Sequence, residues 1–138
     1  MSEEQTVSAD VEMTEDMSEV RAADEAFPEG QFAFRISNCE VHPGEGTNGA
    51  NRIVYTCKSQ TEGESFGRSV FLGIDMGDPR GRSNLKSVYK ACGYNPGPGG
   101  HNPSKVIDGE IKATVKHKIS EGVTYANILP WTIKPIAG

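Results

Sequence analysis

QFAFRISNCEV, residues 31–41, alternates apolar and polar side chains with a period of two. Phe32, Phe34 and Ile36 fall to one side, and Gln31, Arg35 and Ser37 to the other. That period is the mark of a half-buried strand. The next ten residues, HPGEGTNGAN (42–51), are all turn chemistry and read as a loop. Residues 52–60 alternate again, with Ile53, Tyr55 and Cys57 opposite Val54, Thr56 and Lys58. A short Gly-containing turn over 61–64 leads into a third strand over 65–73, so the first three strands form a meander.

The period then changes. Leu85, Val88, Tyr89 and Cys92 stand at i, i+3, i+4 and i+7, an apolar stripe that calls for one buried helical face. Ser83 is the expected N-cap and Gly93 the stop. NPGPGGHNP (95–103) reads as a surface loop. Alternation returns over 109–119, with Ile111, Ala113 and Val115 inward and Lys112, Thr114, Lys116 and Lys118 outward. After a tight turn at 120–122, residues 123–131 make the fifth strand.

Strand, strand, strand, helix, strand, strand is the order of an oligonucleotide-binding barrel. Closing five short antiparallel strands into a barrel also removes exposed edges, which are aggregation-prone. The expected fold is therefore all-β with one helix: a five-stranded OB-fold barrel with the helix between strands three and four. It would occupy residues 28–138, behind an acidic, largely disordered tail over 1–27. Within the tail Met13, Met17 and Val20 recur at i, i+4 and i+7, the spacing of a short amphipathic helix.

The chain of 138 residues carries a formal net charge of −5, which taken whole argues against a nucleic-acid partner. Its distribution argues otherwise. Residues 1–30 hold ten acidic side chains and one basic, a net of −9, and residues 31–138 hold thirteen basic and nine acidic, a net of +4. An acidic tail on a basic domain is the expectation. No apolar run approaches the roughly 20 residues that span a bilayer. The start, MSEEQ, is not that of a secretory leader, so a cytoplasmic protein is expected, in the host cytoplasm if phage-encoded. Cys39, Cys57 and Cys92 are odd in number and widely spaced, and read as reduced thiols.

Single-strand binding needs cations that track phosphates and aromatic faces that stack bases. Arg35, Arg52, Lys58, Arg68 and Lys116 supply the cations, and Tyr55 and Phe66 are the aromatics expected at the contact. Phe32, Phe34 and Phe71 are expected in the core, because a small domain must bury its large apolar groups. The stripe of Lys112, Lys116 and Lys118 reads either as a solvated strand face or as a phosphate track. GDPRGR (77–82) is placed to bind a phosphate at the helix N-terminus, or is a plain loop-to-helix connection. Cys39 and His42 have metal-ligand spacing, but buried free cysteines explain Cys39, Cys57 and Cys92 more simply. Asp75 and Asp78 lack an accompanying nucleophile or base. No catalytic residue, metal or cofactor is expected.

PEGQFAFRI (28–36), RIVYTC (52–57), FGRSVFL (66–72), NLKSVYKACG (84–93), DGEIKATVKHK (108–118) and YANILPW (125–131) together resemble a small family of phage and prophage proteins. That family is a domain of unknown function, carried near replication and recombination genes and regarded as single-stranded-DNA-binding. The resemblance spans residues 28–131. It implies an OB-like barrel without enzymatic activity, coating single-stranded DNA in replication or recombination. For the acidic tail two readings stand open, recruitment of replication or recombination proteins and competition with DNA for the basic face, and a homo-oligomer is a further alternative. In one respect the chain departs from bacterial single-strand binders, whose acidic tail is C-terminal: here residues 131–138 are nearly neutral. The competing expectation is a structural or protein-interaction module, such as a virion accessory protein, making its contacts through loops 42–51 and 94–104 or the tail.

Overall fold

The computed structural model describes residues 12–14, 26–63 and 65–136. Five antiparallel strands form a single sheet: β1 (Gly30–His42), β2 (Arg52–Ser59), β3 (Ser69–Asp75), β4 (Glu110–Ser120) and β5 (Val123–Ile128). Their order across the sheet is β3-β2-β1-β4-β5. One helix, α1 (Pro79–Ala91), lies between β3 and β4 in the chain.

β1 is the longest strand and serves two partners in turn. Its first half pairs with β4, from Gly30 opposite Val115 to Arg35 opposite Glu110. Its second half pairs with β2 alone, as far as His42 opposite Arg52. At the change-over Ile36 pairs with Cys57 and Asn38 with Thr56, leaving Ser37 as an extra residue. Such a bulge bends a strand and increases its twist. It also reverses the parity: Phe34 and Ile36 face the core before it, and Cys39, opposite Tyr55, after it. The alternation that defines residues 31–41 therefore changes phase at Ser37.

The bend brings the edge strands β3 and β5 near each other. No ladder joins them among the described residues. The expected barrel is thus corrected to a curved sheet that is not closed by hydrogen bonds. β5 is one reason. It ends at Ile128, not 131, because residues 130–132 turn into a short 3-10 segment. There the Thr132 hydroxyl accepts the Thr114 N–H at 2.9 Å, in place of a strand carbonyl. The chain rejoins β4 only at Lys134, opposite Lys112.

Phe34, Ile36, Ile53, Leu72, Ile74, Ile111 and Val115 fill the concave side, all at most 2% exposed. α1 closes it with Leu85, Val88 and Tyr89. The helix starts earlier than expected. Its N-cap is Asp78, not Ser83, with the carboxylate accepting the Arg80 N–H at 2.9 Å and proline at the first position. That carboxylate already takes up the Arg80 N–H, one of the free donors at the helix start. Gly93, at φ 77°, ends the helix as expected, and the Tyr94 N–H returns to the Tyr89 carbonyl.

β3 begins at Ser69, not 65, since residues 65–67 are turn. Phe27 is 2% exposed and packs edge-on against Phe32 at 4.9 Å, so the packed domain takes in a residue assigned to the tail. Other readings of the tail lie outside the described residues, apart from 12–14, which form no regular element. Among the described residues, no helix is long and apolar enough to cross a membrane.

Candidate nucleic-acid interface

Residues directly opposite in an antiparallel ladder share a face, so the registers alone assemble the solvent side of the sheet. One row runs Ser69, Lys58, Arg35, Glu110. Lys58 and Arg35 are neighbours there, and Arg35 reaches Glu110 at 3.5 Å with both side chains about half exposed. At that exposure the ion pair contributes little to stability and leaves the cation accessible.

The next row is Phe71, Thr56, Asn38. Phe71 was expected in the core; it is 64% exposed. Its neighbours Val70 and Leu72 are buried, and the pleat turns the residue between them outward. That parity is the signal through which sequence reading could have placed it.

Two rows further, Arg52 stands between Asp75 and His42. Its guanidinium lies over Gly73, where an added Cβ would come within 2.8 Å of it. A glycine in mid-strand leaves room for this crossing. Asp75 is held below the usual carboxylate range, first by the Thr47 hydroxyl and then by the Thr47 and Gly77 N–H groups, each 2.9 Å away. These bonds tie loop 43–51 to the edge of the face.

Toward the other edge, Lys112 follows Ala33 in the ladder, and the β4–β5 hairpin then runs on beyond the start of β1. Lys116 opposite Asn127 and Lys118 opposite Tyr125 extend the same face. Tyr125 is 51% exposed. The hairpin turns on Glu121 and Gly122, both at positive φ, as a two-residue turn requires. Its base is fixed: the Glu29 carboxylate accepts the His117 N–H at 2.7 Å, which lowers the Glu29 pKa, and the His117 ring bonds the Phe27 carbonyl.

The registers therefore place Arg35, Lys58, Arg52 and Lys116 on one face, with Lys118 of the lysine stripe, Phe71 and Tyr125. Phe66 is exposed on the turn between β2 and β3, and Trp131 on the 3-10 segment. Two expected residues are elsewhere. Arg68 is turned to the other side of the sheet, its guanidinium 5.6 Å from the centre of the Phe27 ring. Tyr55 is wholly buried, with its hydroxyl donating to the Pro103 carbonyl at 2.8 Å, and offers no face for stacking.

Cys39 stands opposite Tyr55 in the ladder, Cys57 is buried two residues further along β2, and Cys92 packs against the same core. Burial pushes the Cys57 thiol up to about 12 and Cys92 to about 11, and raises Cys39 too. Thiols so placed stay protonated at neutral pH and are poor nucleophiles and poor metal ligands. His42 faces the opposite side from Cys39 and is engaged by Glu40 at 3.1 Å and Glu45 at 3.6 Å. Asp75 and Asp78 are both committed to backbone N–H groups. Comparison with protein-family models and with curated proteins finds no match to this chain, so the functional reading rests on the geometry of the face.

Proposed function

We propose that this protein binds single-stranded DNA across the solvent face of its sheet, without sequence readout and without chemistry. The observation that carries the reading is Phe71: a large, fully apolar ring, 64% exposed, diagonal to Lys58 and one row from Arg35. A ring beside cations matches a stacked base with its flanking phosphates. The hairpin with Lys116, Lys118 and Tyr125 repeats the pairing of cation and ring at the far end of the same face.

The proposed architecture is a partly open oligonucleotide-binding barrel. The order β3-β2-β1-β4-β5, with a helix between β3 and β4 in the chain, supports it. In that fold strands two and three and the loops after strands one and four carry the ligand, and here these are the Phe71 face, loop 43–51 and the hairpin tip.

Titrating an unstructured oligonucleotide against the fluorescence of Trp131, the single tryptophan, tests the proposal. Saturable binding at low salt is expected, weakening steeply as salt rises through counterion release. Absence of binding at low salt, in protein whose folding is verified by circular dichroism, overturns it.

A further inference from the structure

A cavity of about 470 Å³ opens between α1 and loop 94–101, apart from the sheet face. Its apolar wall is made by Met76, Leu85, Tyr89, Tyr94 and Pro96. Arg82, Lys86 and Lys90 also line it, spaced four apart and so on one face of α1. None of the described residues lining it is acidic. Bonds on the loop side hold the wall in place: the Tyr89 hydroxyl and His101 Nδ1 are 2.6 Å apart, and the Tyr94 hydroxyl accepts the Asn102 N–H at 3.0 Å. This is a preformed apolar pocket flanked by positive charge.

Its chemical complement exists within the chain. Residues 8–20, SADVEMTEDMSEV, place Met13, Met17 and Val20 among five acidic side chains. Met13 is 79% exposed and is not among the described residues that line this pocket. We propose that the acidic segment centred on Met13 docks in the α1–loop pocket of a second copy of this chain. Methionine suits such a seat, because its flexible thioether fills irregular apolar space. The flanking carboxylates meet Arg82, Lys86 and Lys90. Attraction of this kind, at the surface, weakens with salt.

Two full-length variants separate the halves of the contact: Met13→Asp removes the apolar anchor, and Lys86→Glu with Lys90→Glu inverts the rim at two exposed helix positions. Circular dichroism verifies that both remain folded. In sedimentation at low salt the wild type is expected to associate with rising concentration beyond its 14.9 kDa monomer mass. Each variant alone is expected to stay monomeric, and an equimolar mixture to associate, since it again offers one intact segment and one intact pocket. A fluorescent peptide of residues 8–20 is expected to bind the Met13→Asp protein and to bind the charge-inverted one at least tenfold more weakly. Equal peptide affinity for the two proteins overturns the pocket as the site. A wild type that stays monomeric overturns the second copy as the occupant, even if the peptide binds. Because no nucleic acid is present, the outcome is independent of the DNA-binding proposal.

Discussion

Tyr55 and Phe71 are aromatic residues on adjacent strands, one register step apart, with opposite fates. Tyr55 pairs with Leu72 and is fully buried; Phe71 pairs with Thr56 and is 64% exposed. Hydrophobicity alone would reverse them, since the ring with a hydroxyl is inside and the ring without one is outside. Strand parity decides instead. Val70, Leu72 and Ile74 claim the concave side of β3, and Phe71 is the residue between. The buried phenol is tolerated because its hydroxyl finds the Pro103 carbonyl, which also anchors the chain leading into β4. The exposed phenyl has no such structural account. The proposed interface assigns that ring a role, since an aromatic face beside Lys58 and Arg35 can stack a base.

The sharpest break of this comparison is Tyr55→Ala. It should lower stability by about 3–5 kcal/mol, the usual cost of removing a large buried ring, measured by urea unfolding. Phe71→Ala should leave stability within about 0.5 kcal/mol and weaken oligonucleotide binding by roughly 1–3 kcal/mol, the typical cost of losing one stacked base. Equal losses of stability in the two variants would mean that Phe71 is structural and would remove the main support for the interface. Tyr55→Phe keeps the ring and removes only the bond to Pro103, so a loss of about 1 kcal/mol is expected.

The two sides should also differ in alkali. The Cys57 thiol, beside Tyr55, is raised from 9.0 to about 12 by burial. Between those values the folded state holds a proton that the unfolded state has released. Stability should therefore be fully present below pH 9 and fall as the pH rises toward 12. Cys57→Ala should lessen that fall, the rest belonging to the other raised groups such as Cys92, while Phe71→Ala should leave it unchanged. The smallest expected effect belongs to single cations. Lys58→Ala should lower the slope of log affinity against log salt by about 0.7, the contribution of one phosphate contact on a single strand, with no preference among sequences.

Much of the fold is legible in local pattern. The period of two over β2 and β4 names the inward residues, and the stripe of Leu85, Val88 and Tyr89 names the buried side of α1. The site was only partly legible. Arg35, Lys58, Arg52 and Lys116 are evident as cations on outward positions, and Phe71 was recoverable from its flanks. Tyr55 and Arg68 were misplaced because a residue's type suggests what it can do, while its face depends on where its strand starts. The position of β3, beginning four residues later than the pattern suggested, shows how weakly turns are marked when serine, phenylalanine and glycine occur together at 65–67.

By itself the sequence determined the five strands and the single α-helix, the tight turn at Glu121 and Gly122, and the split between an acidic start and a basic remainder. These follow from side-chain periodicity, backbone preference and charge, which act over a few residues. Only the tertiary structure decided that Ser37 is extra and reverses the face of β1, and that Lys58 lies beside Arg35. It also decided that Cys39 lies opposite Tyr55, and that the sheet curves without a ladder between β3 and β5. Each of these depends on pairing between distant segments. Such pairing is selected by how the whole concave side fills, and no local window of the sequence contains that information.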